Sequence, residues 1–179
     1  MRSLEDIEKI AVVGSGMMGT GCAMVFASAG YRVTLYDVVP EALPKVATSM
    51  RRDLTFLAER GLGRLEDVEA TVGRVSTTLD LQEAASDADF VLEAVTEDMA
   101  LKQKIFRDLD RMTKEDTILA TNTSVMSPTE IASMSEGRER ILGTHWWNPP
   151  FLIPLVEVVQ TEETASWVVA TTMELHRAI

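Results

Sequence analysis

Apolar residues along this chain change period often enough to mark its elements. Ile10 to Val13 is an unbroken apolar run that ends in glycines, which fits a short strand buried on both faces. From about Met17 to Ala29 the chain is rich in Ala and Met and then meets Gly30, a helix with a glycine just past its end. In YRVTLYD, Val33 and Leu35 alternate with polar positions up to Asp37, a second strand. A long polar helical stretch follows from about Pro40 to Arg60, and RGLGRLEDVEA reads as a turn and a shorter helix. Short strands are predicted at Val75–Thr77 and Phe90–Val95, and a helix from about Met99 to Met112. The strand TILATNTS leads into SPTEIASM, where Ser127 and Glu130 form a candidate capping box with Pro128 at the first helical position. The strand ILGTH, the irregular WWNPPFLIP, the strand LVEVVQT and a helix from about Thr164 complete the chain. That last helix runs to Ile179 without a cap, glycine or proline, as though the sequence stopped partway through a longer protein. Strand–helix alternation of this kind implies a doubly wound α/β fold, with helices on both faces of a mostly parallel sheet.

Composition narrows the function classes. A chain of 179 residues, 46% apolar and 25% charged, can build one domain with a core. No run approaches the roughly 18 apolar residues of a membrane span, and the N-terminus lacks the apolar stretch of a leader. The single cysteine, Cys22, allows no internal disulfide and fits a reducing compartment, so a cytoplasmic protein is expected. Cys22 and the methionines of its helix read as core packing. A formal net charge of −11 argues against a nucleic-acid partner, because that affinity rests on Lys and Arg neutralising phosphates. Two histidines and one cysteine cannot assemble the usual zinc sites, so no metal is expected.

The candidate chemistry begins at GSGMMG, whose residues Gly14, Ser15, Gly16, Met17, Met18 and Gly19 match G-x-G-x-x-G. The motif alone is weak, but here it leaves a predicted strand and opens a predicted helix. Asp37 closes the next strand at the spacing a dinucleotide site needs. Gly14 permits the tight turn, Gly16 lets the backbone approach a pyrophosphate, and Gly19 lets helix and sheet close up. The helix N-terminus offers free N–H groups to the phosphates, and Asp37 would accept hydrogen bonds from the ribose hydroxyls. Its charge would repel a 2′-phosphate, so the expected cofactor is NAD.

Ligands of such sheets sit at the carboxyl ends of the strands. Three predicted strands end there in polar residues: Glu97 in LEAVTED, Asn122 and Ser124 in ATNTS, and His145 in GTH. Glu157 lies inside an apolar strand, where a carboxylate needs a partner. The short loop through Pro149 and Pro150 can bring Glu157 back beside His145. Held through one ring nitrogen, His145 would present the other as a general acid/base for oxidation of an alcohol, with Ser124 bonding the same oxygen. A purely structural His–Glu pair is the alternative. Trp146 and Trp147 fit the cleft wall or packing rather than base stacking, and His176 fits a surface histidine.

Taken together, AVVGSGMMGTGCAMVFASAGYRVTLYD, LEAVTED, ATNTSVMSPTEIA and GTHWWNPPFLIPLVEVV resemble the N-terminal NAD-binding domain of 3-hydroxyacyl-CoA dehydrogenases, over nearly the whole chain and in family order. The resemblance implies a Rossmann-type domain over residues 1–179 with a helical arm after Asp37. It implies that a C-terminal helical dimerisation domain is missing from this chain, and a homodimer where that domain is present. It also implies His145 as catalytic base and Glu157 as the residue that orients it. Ser124 and Asn148 would then lie at the nicotinamide end and the substrate, and Glu97 and Lys102 against NAD. The expected substrate is an acyl-CoA, and Arg60 on the arm is the expected contact to its CoA part, though a solvated helix face would look the same. The family completes its site with an asparagine that would lie beyond Ile179, so this chain alone is expected to bind NAD weakly and to turn over poorly. Relatives acting on free hydroxy acids, of carnitine or gulonate type, and non-catalytic NAD-binding relatives remain alternatives.

Overall fold

A computed structural model describes residues 2–179. Seven strands form one sheet in the order β3-β2-β1-β4-β5-β6-β7. They are β1 (Lys9–Val13), β2 (Arg32–Tyr36), β3 (Val75–Thr78), β4 (Phe90–Glu93), β5 (Ile118–Thr121), β6 (Ile141–Trp146) and β7 (Val156–Val159). The first six are parallel, and β7 alone runs antiparallel, against β6. The helices are α1 (Met17–Ser28), α2 (Leu43–Ala58), α3 (Val68–Val72), α4 (Leu81–Ala85), α5 (Met99–Met112), α6 (Pro128–Ala132) and α7 (Ser166–Ala178). The order reverses at β1 and β4, the switch point at which doubly wound sheets bind ligands.

Alternation along each central strand sorts the core into two layers. Ile10 and Val12 of β1 face the layer built with Phe26 of α1 and Val168 and Leu175 of α7. Ala11 and Val13 face the other, with Phe106 and Leu109 of α5 and Ile131 of α6. Both faces are covered, which is why β1, β4 and β5 read as solid apolar runs rather than alternating ones.

The two ends of the sheet are treated differently. Before β4 and β6, buried Arg2 pairs with Asp89 at 2.6 Å, and buried Arg140 pairs with Asp110 at 2.8 Å. Arg140 also donates to the carbonyls of Asp110, Lys114 and Thr117, closing that end with satisfied charges. The carboxyl ends carry the polar residues singled out above.

Three expectations are corrected. Helix α4 was not predicted; it is a single turn held by the Asp80 carboxylate, which accepts from the N–H groups of Gln82 and Glu83. The strand carrying Glu157 is no core strand but the sheet edge: Leu155 and Val159 are exposed, and the Glu157 side chain is 53% exposed. His176 is not a surface histidine. Its ring packs against Trp146, Phe90 and Phe26 with centroids 5.2, 6.0 and 6.3 Å away, and Nδ1 donates to the Thr172 carbonyl at 2.7 Å. The residue as a whole is half-buried, and its Nε2 is shut away from solvent. Burial pushes its pKa down from 6.5 to about 4, against the smaller opposing effect of the Thr172 bond.

Candidate active site

The glycine loop joins β1 to α1 at the switch point. Gly14 has φ +106°, a conformation that side chains resist, and a Cβ there would lie 2.7 Å from the Ala94 carbonyl oxygen. A Cβ on Gly19 would overlap the Gly14 carbonyl, so the first turn of α1 can approach the loop only without one. Gly16, the N-cap of α1, is different: a Cβ would meet nothing within 4 Å. Gly16 therefore serves no packing need within the chain and leaves bare backbone beside the unpaired N–H groups of the helix start. A pyrophosphate suits that surface. Ser15, exposed Met17 and half-buried Met18 complete the loop.

Asp37, just past β2, accepts from the Ser15 N–H at 2.7 Å and its hydroxyl at 2.6 Å through one oxygen, and from the Val39 N–H through the other. Partial burial works to raise its pKa, but these hydrogen bonds outweigh it and hold the carboxyl below the usual range. A charged acceptor thus stands beside the loop, as a ribose diol requires, and the residues present fit a dinucleotide.

Ser124, His145 and Glu157 come together. The register of β6 and β7 pairs His145 directly with Glu157, and Nδ1 lies 2.6 Å from Glu157 Oε2. On the far side of the ring, Nε2 lies 3.0 Å from Ser124 Oγ. With Nδ1 held by the carboxylate, Nε2 is left to exchange a proton at the strand ends. Trp147 lies alongside, its ring centroid 6.1 Å from that of His145. Asn122 Oδ1 takes the Trp146 N–H at 2.9 Å and fixes the end of β6.

Asn148, which precedes a cis proline, and the glycine loop line a cavity of about 370 Å³ together with α2. The basic residues of α2 that reach it are Lys45 and Arg52, the latter bonded to Asp53. Arg60 is not among its lining residues; its guanidinium lies 3.6 Å from the Phe56 ring centroid on an exposed part of the arm. The structure does not bring Arg60 to the other candidates.

Glu97 accepts from the Ser124 N–H at 2.9 Å and from the Thr123 hydroxyl. Burial pushes its pKa up, but the bonds from Ser124 and Thr123 and the charge of Lys102 outweigh this and lower it. Lys102 is buried, with Nζ 2.7 Å from Glu93 and 3.5 Å from Glu97. Glu93, the last residue of β4, was passed over in the sequence although LEAVTED contains it. An acid inside an apolar strand was the available signal, the same one that drew notice at Glu157.

Comparisons with known proteins identify the family and the fold. Residues 9–179 match the family model described as 3-hydroxyacyl-CoA dehydrogenase, NAD binding domain. The chain is 40% identical over 169 residues to a probable 3-hydroxybutyryl-CoA dehydrogenase of Bacillus subtilis, covering 92% of this chain and 58% of that protein. It is 38% identical over 173 residues to a 5-formyl-3-hydroxy-2-methylpyridine 4-carboxylate 5-dehydrogenase of Mesorhizobium japonicum, covering 97% and 55%. Among solved structures, a 3-hydroxybutyryl-CoA dehydrogenase from Escherichia coli superposes with a TM-score of 0.91 at 38% identity, over 96% of this chain and 36% of that one. The chain thus spans little more than half the length of these two curated relatives.

Proposed function

The chain belongs to the 3-hydroxyacyl-CoA dehydrogenase family, as its NAD-binding domain, and from that premise we propose that it serves NAD-dependent interconversion of a 3-hydroxyacyl-CoA and its 3-oxoacyl-CoA. The observation that carries the proposal is the line Ser124–His145–Glu157 at the strand ends, beside a glycine loop built for a dinucleotide.

NAD bound there supplies the acceptor for the hydride of the alcohol carbon. His145 Nε2 takes the hydroxyl proton as that carbon is oxidised, and returns it to the carbonyl oxygen in reduction. Glu157 Oε2 fixes the tautomer by accepting Nδ1–H and stabilises the imidazolium that proton uptake creates. The reacting oxygen replaces the hydrogen bond that Ser124 Oγ and His145 Nε2 now make to each other: the Ser124 hydroxyl turns to donate to it, which frees Nε2 to take its proton. Gly16 and the first turn of α1 hold the pyrophosphate, and Asp37 takes the ribose hydroxyls and excludes a 2′-phosphate. Glu97 holds Ser124 in place, Asn148 walls the cleft toward the substrate, and Lys45 and Arg52 offer charge to an anionic tail. Arg60 remains a candidate CoA contact only at the outer end of the arm. A helical, dimer-forming half, which the longer relatives have room for, belongs to the same proposal.

The test is oxidation of NADH with acetoacetyl-CoA, measured on this chain and on the longest product of its gene. Turnover, lost by about 10²–10⁴-fold in His145→Gln with NADH affinity intact, is expected. NADH binding without turnover in any form would sink the CoA assignment. A second reading, a free hydroxy acid as substrate, draws on the Mesorhizobium relative, whose name carries a carboxylate and no CoA, and on Asp53, which sets an acid among the cations of the cleft. Activity with acetoacetate or dehydrocarnitine but not with the thioester would favour it. If the chain is instead a non-catalytic NAD-binding protein, His145→Gln leaves its function unchanged.

A further inference from the structure

The mechanism above makes no use of two of the most deeply buried charges in the chain. Glu93 is 0% and Lys102 1% exposed, and they meet at 2.7 Å. Every oxygen of Glu93 is committed. Oε1 accepts from Lys102 Nζ and from the Val95 N–H at 2.7 Å, and Oε2 accepts from the Thr121 hydroxyl at 2.7 Å. Because β4 and β5 pair Glu93 with Thr121, this carboxylate sits under the ends of two neighbouring strands at once. Lys102 Nζ is equally taken up, by Glu93, by the Val95 carbonyl at 3.3 Å and by Glu97 at 3.5 Å. Buried at 1% exposure, Lys102 is not the surface contact to NAD that the resemblance implies; Glu97, 40% exposed, is the one of that pair open to solvent.

A buried ion pair is costly to assemble, and isosteric apolar residues often serve stability as well or better. Its place in the network suggests another use. Lys102 draws in the Glu97 carboxylate, which is 40% exposed and would otherwise be free to turn to solvent. Held there, Glu97 takes the Thr123 hydroxyl and the Ser124 N–H, and Ser124 Oγ meets His145 Nε2. We propose that Glu93 is a positioning residue: through Lys102 and Glu97 it sets the Ser124 hydroxyl on His145. This rests on the reading of His145 as the acid/base, but its test does not need turnover.

The chain has two histidines, His145 and His176. They lie at different places, one against Ser124 and Glu157 and the other among Phe26, Phe90 and Trp146. Ring 15N and 1H resonances therefore give a signal and an internal control in one spectrum. In Glu93→Gln, and in Glu93→Gln/Lys102→Met, which removes both charges together, the His145 ring and Ser124 amide resonances should shift while those of the His176 ring stay in place. Lys102→Met alone should shift the same resonances, and its effect should not add to that of Glu93→Gln. Unmoved His145 resonances in the folded variants would overturn the proposal. So would both histidines moving together, or loss of the fold in the double variant, since the pair would then merely support the sheet. If these shifts are found and His145→Gln nonetheless retains turnover, the positioning network stands and the acid/base reading fails.

Discussion

At Gly14 and Gly16 the same amino acid is required for different reasons, and two substitutions separate them. Gly14→Ala puts a side chain at φ +106° and a Cβ 2.7 Å from a backbone oxygen. The backbone conformation alone costs about 1–2 kcal/mol, so denaturant midpoints should fall whether or not NADH is present. Gly16→Ala adds a Cβ to open space at a residue already in extended backbone. Replacing glycine by alanine at an N-cap costs about 1 kcal/mol or less, so the fold should survive nearly intact. NADH affinity, read from NADH fluorescence, should nevertheless drop on the order of tenfold or more, because the Cβ stands where the backbone must meet pyrophosphate. Equal losses of stability in both variants would show Gly16 to be a packing residue.

Helix α7 ties its last turns to the sheet through a group that titrates. The His176 ring is wedged beside Trp146, Phe26 and Phe90, and its pKa is pushed down from 6.5 to about 4. Above pH 6.5 neither the folded nor the unfolded chain protonates it. Between about 6.5 and 4 only the unfolded chain does, so stability falls as pH drops, by about 1.4 kcal/mol per unit and up to about 3 kcal/mol in all. His176→Leu should remove that part of the acid limb. Urea midpoints between pH 7 and 4.5, taken as a difference from the unchanged chain, isolate it because the other titrating groups are common to both. Parallel curves would mean that the ring is protonated in place. In the sequence this histidine looked like a surface residue. Period shows which face of a helix is apolar, but not that the polar residue beside that face lies under Trp146. The edge strand misled in the opposite direction, since Val156, Val158 and Val159 suggest burial and only pairing shows that β7 has a single neighbour. By contrast α5, with apolar residues at helical spacing, lies where the sequence places it, from Met99 to Met112.

Across the whole molecule, the readable parts of the site were those that a motif or an out-of-place charge brought to notice. The loop from Gly14 to Gly19 announces itself, and His145 and Glu157 lie one tight return apart. Glu93, Glu97 and Lys102 lie close together in sequence, but their link to Ser124 spans 27 residues, from beyond β4 to beyond β5, and no local pattern joins those segments. The strongly acidic composition is legible at once but acts only through the folded charge distribution. With a net charge of −11 and with Asp37, Glu97 and Glu157 near the strand ends, an approaching anionic dinucleotide meets repulsion from much of the molecule, offset locally by the helix start and by Lys45 and Arg52. Salt screens charges separated by more than a Debye length, about 10 Å at 0.1 M, and leaves the short contacts at the glycine loop nearly untouched. The NADH association rate from stopped-flow fluorescence should therefore rise between 10 and 200 mM NaCl, by less than about tenfold, while dissociation changes little. A polyanion-binding surface would give the reverse, a steep fall with salt. If the association rate falls, the local field of the α1 N-terminus and of Lys45 and Arg52 outweighs the charge of the molecule. Those two side chains would then be the first to neutralise.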